Sequence, residues 1–136
     1  PPPADVSAWT LSMSPLLLAL GALAGGVGAA LRYSADVAIL RWWGPPWGVF
    51  VVNVVGSFAL GILTGSAAPA DLQFVIGGGL LGGFTTFSAV SVTTLLLAEE
   101  RRGRMAIVNV VGTFVLALAA AAGGLALGGA LAAASS

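Results

Sequence analysis

Apolar and small residues fill four long blocks of this chain, at roughly 14–31, 47–65, 72–98 and 105–128, and short polar or turn-forming segments separate them. Each block is near the ~20 residues that a helix needs to cross a ~30 Å hydrocarbon core. The pattern predicts an all-α integral membrane protein with four transmembrane helices, the first continuing to about residue 40. The connections are Arg41-Trp42-Trp43-Gly44-Pro45-Pro46-Trp47, Ser66-Ala67-Ala68-Pro69-Ala70-Asp71 and Glu99-Glu100-Arg101-Arg102-Gly103-Arg104. None is long enough to be a domain, so residues 1–136 form a single four-span unit. Trp42, Trp43 and Trp47 suit an interfacial belt, where an indole keeps its ring apolar and its N–H wet.

Composition strengthens this picture. The chain is 58% hydrophobic and 7% charged, too little charge to cover a water-soluble domain. Its solvent is therefore the lipid bilayer. It has no Lys, His or Cys, which removes thiol chemistry, disulfides, imidazole acid–base work and most metal clusters, and with them most enzyme classes. Five Arg balance five acids, so no basic footprint for nucleic acid exists. The opening PPPADVSAWTLS lacks the basic start and cleavage pattern of a signal peptide, and Met13 is a candidate native start.

Glycines recur at a spacing of four in Gly21/Gly25, Gly61/Gly65, Gly78/Gly82 and Gly124/Gly128. Small residues so spaced let helix backbones approach closely in lipid, where the hydrophobic effect does not drive helices together. The chain also echoes itself: Val52-Asn53-Val54-Val55-Gly56-Ser57-Phe58 in span 2 returns as Val108-Asn109-Val110-Val111-Gly112-Thr113-Phe114 in span 4. Two helix hairpins look like copies, and an even number of helices between the repeated segments points both the same way.

Polar groups inside a span are costly unless satisfied, so each is a candidate site. Span 2 carries Asn53 and Ser57 four residues apart on one face, and span 4 carries Asn109 and Thr113 in the same relation. Span 3 is richest, with Gly82-Gly83-Phe84-Thr85-Thr86-Phe87-Ser88 followed by Ser91, Thr93 and Thr94. As one unbroken helix, this span would be about 40 Å long, more than the core requires. Gly-Gly before two β-branched Thr is a plausible breaking sequence, which predicts a discontinuous helix over Gly82–Thr86. Unwound backbone at that depth must be buried in protein or line a polar cavity. Freed carbonyls would suit a hard cation such as Na⁺, whereas hydroxyls and amide N–H groups would suit an anion. The competing reading is a continuous helix whose Ser and Thr bond back to carbonyls one turn earlier. No Asp, Glu or Lys lies at mid-span, so no group is available to exchange a proton for substrate, and passive conduction fits better than coupled transport.

Gly25-Gly26-Val27-Gly28-Ala29-Ala30-Leu31-Arg32-Tyr33, Asn53-Val54-Val55-Gly56-Ser57-Phe58 and Gly82-Gly83-Phe84-Thr85-Thr86-Phe87-Ser88 fall in that order on spans 1, 2 and 3. With these motifs, the chain from about Leu16 to Gly128 resembles the Fluc (CrcB) fluoride channels. The resemblance implies an antiparallel dimer with two pores, fluoride passage down its gradient across the cell membrane, and a structural Na⁺ held by backbone carbonyls of Gly82 and Thr85. It also implies a pore amide at Asn53, a vestibule cation at Arg32 and a pore aromatic at Phe87. The expected pore lining also takes in Ser57, Thr86, Ser88, Val90, Ser91, Asn109 and Thr113. An aromatic ring has a positive edge, so Phe87 could meet an anion without formal charge. The chain departs from the family at three places: Val90 stands where a second pore Phe is expected, Thr93 where a Glu is, and Asn109 where a Tyr is. A small multidrug-type transporter or a non-conducting assembly subunit remains as an alternative.

Charge placement makes a separate prediction. All five Arg flank or lie in the first and third connections, and the opposite side has no Lys or Arg. Such a bias should fix those connections in the cytoplasm. A chain that inserts both ways to pair with itself should be less biased, so the partner is either a second copy or a related, oppositely oriented subunit. The expected outcome favours the related subunit: a cysteine placed in 66–71 labels from outside intact cells and one placed in 99–104 does not. Comparable labelling of both would establish dual insertion.

Overall fold

The structure, a computed structural model, describes residues 14–44 and 47–135, with the backbone alone at Phe87 and Ser88. Met13 and the Pro45-Pro46 pair lie outside the described residues. The described elements are helical: α1 (Pro15–Trp43), α2 (Trp47–Gly65), α3 (Ala70–Leu72), a π-helix π1 (Gln73–Leu81), α4 (Gly82–Phe84), α5 (Phe87–Glu99) and α6 (Gly103–Ala134). Among the described residues, four stretches are long and apolar enough to cross a membrane, namely Pro15–Trp43, Trp47–Gly65, Ala70–Glu99 and Gly103–Ala134.

Local sequence explains the ends of these helices. Ser14 caps α1 by accepting from the Leu17 N–H at 3.1 Å, and Pro15 occupies the first turn, where a missing N–H costs nothing. α1 continues past its apolar block and runs 29 residues in all, about 42 Å at 1.5 Å per residue. It ends at Gly44, whose φ of 74° is open to glycine without a Cβ penalty. Trp42 and Trp43 stand exposed there, as an interfacial belt requires. At the far end of α5, Arg101 takes φ 61°, while Arg101 N–H bonds the Ala98 carbonyl and Arg102 N–H the Leu97 carbonyl. This double closure usually employs glycine, so the chain keeps an arginine at some backbone cost.

The interior is built from glycine, a few polar side chains and a small aliphatic set that includes Val52 and Leu97, and most of the large aliphatic residues face outward. Gly61, Gly124 and Gly128 are buried, as are Asn53, Asn109 and Thr113, while Leu23, Leu95, Ile107, Phe114 and Leu118 are exposed. Lipid reverses the usual arrangement because hydrocarbon solvates aliphatic side chains as well as protein does. α2 and α6 form the most extensive helix pair. A methyl group on Gly61 would overlap the Ala121 carbonyl, one on Gly65 the Leu125 carbonyl, one on Gly124 the Phe58 carbonyl and one on Gly128 the Ile62 carbonyl. Two of the four-spaced glycine pairs therefore make one interface.

α1 packs on π1 and α4 in the same way, with Gly28 under the Leu80 carbonyl and Gly83 under the Gly25 carbonyl. Gly78/Gly82 takes no part. Both residues are exposed, a Cβ on Gly78 would meet nothing, and the neighbouring Gly79 and Gly83 form the contact instead. Helical rotation explains the difference, since a one-residue step turns the contact face by about 100° in an α-helix.

The expected interruption of span 3 over Gly82–Thr86 is narrower in the structure. Gly82–Phe84 are helical, and the departure is confined to Thr85 (φ −81°, ψ 152°) and Thr86 (φ −153°, ψ 123°), both extended. The nine-residue π-helix upstream was not foreseen in the sequence. Gly82 N–H closes it by donating to the Gly77 and Gly79 carbonyls.

The α2–α6 contact makes a paired prediction. Gly124→Ala places a methyl group against backbone that cannot move away cheaply, so it should destabilise by about 1–3 kcal/mol and lower the melting temperature in detergent. Gly123→Ala meets nothing and should leave that temperature unchanged.

Candidate functional site

Where span 3 leaves the helix, Thr85 N–H keeps its bond to the Leu81 carbonyl, while the N–H groups of Thr86 and Ala89 find replacement partners in one neighbour and one local side chain. Asn53 on α2 accepts the Thr86 N–H on its Oδ1 at 2.8 Å. Its Nδ2 donates to the Thr86 carbonyl at 3.1 Å and to the Val49 carbonyl at 3.0 Å. Thr86 Oγ1 in turn accepts the Ala89 N–H at 3.2 Å, which caps α5. Gly56, one turn below Asn53, leaves room for the interruption, because a Cβ there would overlap the Thr85 methyl group.

These substitutions redirect the donors of two carbonyls. In a continuous helix, Thr86 N–H would bond the Gly82 carbonyl and Ala89 N–H the Thr85 carbonyl. Here the first goes to Asn53 and the second to Thr86 Oγ1. The back-bonding reading also holds in part, since Thr85 Oγ1 donates to Leu81 at 3.0 Å and Thr94 Oγ1 to Val90 at 2.7 Å.

Beside the interruption lies a groove of about 520 Å³. Asn53, Ser57, Thr85, Thr86, Val90 and Thr113 line it, with an apolar wall from α6 that includes Phe114. It contains no ionisable side chain. Thr113, one of the lining residues, has a buried hydroxyl without a hydrogen-bond partner.

Asn109 has a different place. It is almost fully buried outside the groove, where Nδ2 donates to Thr94 Oγ1 at 2.8 Å and to the Val90 carbonyl at 3.4 Å, and its Oδ1 has no partner. There it braces α5 against α6. Ser91 is exposed on α5 and does not line the groove. The side chains of Phe87 and Ser88 lie outside the described ones; their backbone opens α5. Arg32 sits on α1 about three turns before its end, half-buried and away from the groove. Thr94, noted in the sequence only as one of the polar residues of span 3, proves to be the partner of Asn109, and Phe114, noted only as the end of the internal echo, lies along the groove. Thr93 faces a second cleft of about 240 Å³ with Asp36 and Glu100.

The two echoed segments serve parallel purposes. Asn53 and Asn109 each reach span 3, one at Thr86 and one at Val90 and Thr94, while Ser57 and Thr113 both face the groove.

Comparison with known proteins places this arrangement. Residues 19–125 match the family model described as CrcB-like protein, Camphor Resistance (CrcB). A protein of Leifsonia xyli named fluoride-specific ion channel FluC 1 is 42% identical over 124 residues, covering 86% of this chain and 90% of that protein. One of the same name from Rubrobacter xylanophilus is 45% identical over 116 residues, covering 82% and 93%. The fluoride-specific ion channel FluC of Phenylobacterium zucineum is 41% identical over 119 residues, also covering 82% and 93%. These names denote ion channels, not enzymes.

The Asn109 brace can be tested by two substitutions. Asn109→Leu removes two bonds but leaves no buried group stranded, because Thr94 still bonds Val90, so the change in stability should stay within about 1 kcal/mol. Asn109→Asp buries a carboxylate beside the Val90 carbonyl with the Thr94 hydroxyl as its one neighbouring donor, and should prevent recovery of folded protein at neutral pH, as read by size-exclusion chromatography.

Proposed function

Because the chain belongs to the CrcB-like family, we propose that it is a fluoride-selective channel through which fluoride leaves the cell passively. The observation that carries the reading is the groove at the interruption, lined by hydroxyls and free of ionisable groups. Fluoride is small and strongly hydrated, and it enters a narrow path only where donors replace its water. Thr113 and Ser57 can donate there, and Thr113 has no competing partner. Phe87, at the start of α5, would add a positive ring edge. Val90 supplies none, so in a dimer with a related subunit the two pores need not conduct equally. Arg32 would raise the local anion concentration at the mouth without binding the ion within the path.

The working unit in this reading is an antiparallel dimer in the cell membrane, formed with a second copy or with a related, oppositely oriented subunit. A groove open along one side needs a second wall, and the exposed Gly78/Gly82 edge allows close approach by a partner's backbone. A structural Na⁺ on the dimer axis is part of the same proposal. The fit is good in chemistry: the Gly82 and Thr85 carbonyls are hard oxygen donors whose usual helical partners bond elsewhere. Among the described residues no group of three His, Cys, Asp or Glu could hold a metal, so backbone oxygen is the donor type at hand. A bound Na⁺ would neutralise those carbonyl dipoles and tie two subunits together.

Efflux from liposomes tests the function. Purified protein, reconstituted with internal potassium fluoride and released by valinomycin, should discharge fluoride within seconds and retain chloride. Thr113→Val should slow that discharge about tenfold by removing a donor worth about 1.4 kcal/mol in the path. Absence of fluoride discharge from every preparation, including mixtures with an oppositely oriented relative, would refute the channel reading.

A further inference from the structure

Asn53 has one acceptor oxygen and two N–H donors, and all three are engaged by backbone: Thr86 N–H, Thr86 C=O and Val49 C=O. Thr86 is the residue at which span 3 is most extended, and its N–H has lost its own helix. Asn53 is itself buried to more than nine-tenths. An amide is the side-chain group that can both accept from and donate to a single residue's N–H and C=O, mimicking a strand partner. The orientation is determined by the pairing, since only the oxygen can face the Thr86 N–H. Val49, one turn earlier on the same helix, holds the other N–H and so fixes the rotamer.

We propose that Asn53 is a positioning residue, a brace that holds the Thr86 peptide in extended form and thereby sets the interruption, instead of acting through an N–H offered to the passing ion. Three consequences follow from the geometry. The peptide at Thr86 stays paired beside a polar groove, so the chain does not revert to a helix there. The Gly82 carbonyl loses its helical donor because that donor is held by Asn53. The donors left for an anion are hydroxyls, chiefly Thr113 and Ser57, because the Asn53 donors are already committed.

Only the flux part of the test rests on the channel reading; the brace is read independently from amide exchange. With threonine 15N-labelled in the full chain, the Thr86 amide should exchange within about tenfold of the mid-helix amides of Thr94 and Thr113, although it lies outside any helix. Asn53→Ala should raise its exchange by more than about tenfold and leave Thr94 and Thr113 as they were. Asn53→Gln keeps an uncharged amide that can accept from the same N–H and should keep Thr86 protected. If Asn53→Ala loosens the whole protein, the comparison of Asn53→Gln with the parent decides. Free exchange of Thr86 in the parent, loss of its protection in Asn53→Gln, or full protection in an otherwise intact Asn53→Ala would overturn the brace. Loss of fluoride discharge in Asn53→Ala together with exposure of Thr86 supports it. Absence of discharge in the parent would instead count against the channel while leaving the exchange result to stand.

Discussion

Inside a bilayer every backbone N–H and C=O must find a partner within the protein, and this chain breaks a helix at membrane depth all the same. An unpaired group in hydrocarbon costs several kcal/mol, enough to remove much of a domain's stability. At Thr86 the deficit is met by one side chain, which bonds the N–H and the C=O of the same residue. Thr86 then uses its own hydroxyl to start the next helix. Repairing the donors in this way leaves acceptors over, at Gly82 and Thr85, and places hydroxyls along a groove. The demand for pairing thus accounts for where the fold is regular and where its chemistry is exposed.

Glycine makes that repair possible by bringing helices within reach. α2 and α6 touch through backbone at Gly61, Gly65, Gly124 and Gly128, and α1 meets span 3 through Gly25, Gly28 and Gly83. Asn53 crosses from α2 to span 3 with a short side chain, and the close approach there is at Gly56, which faces Phe84 and Thr85. Gly56 then provides the space that Thr85 needs. The internal echo gains a physical meaning here. In both copies the Asn reaches into span 3 and the hydroxyl one turn later faces the groove, so each hairpin contributes one brace and one donor.

Much of this was legible in the sequence. Block length and hydropathy located four spans, and polar residues in lipid are so costly that Asn53, Thr85, Thr86 and Thr113 stood out before any geometry was known. What did not show was direction. Asn109 has the same spacing from Thr113 as Asn53 from Ser57, yet it braces α5 outside the groove, and only the three-dimensional course of span 3 separates them. The Gly78/Gly82 pair has the same spacing as the packed pairs, but the packed edge lies one residue on. The π-helix left no readable signal, because Gly77-Gly78-Gly79 is equally compatible with a tight α-helical crossing. Family resemblance supplied the ion; the residues alone had left a cation and an anion both open.

Passive conduction is the central claim, and it rests on a groove lined by neutral donors with no titratable group at its centre. Its most direct measurement is the reversal potential of current through the protein in a planar bilayer with different fluoride concentrations on the two sides. The account predicts reversal at the fluoride equilibrium potential, about 59 mV for a tenfold gradient of an ion of single charge, whatever the pH difference. A reversal potential that follows the proton gradient would contradict it.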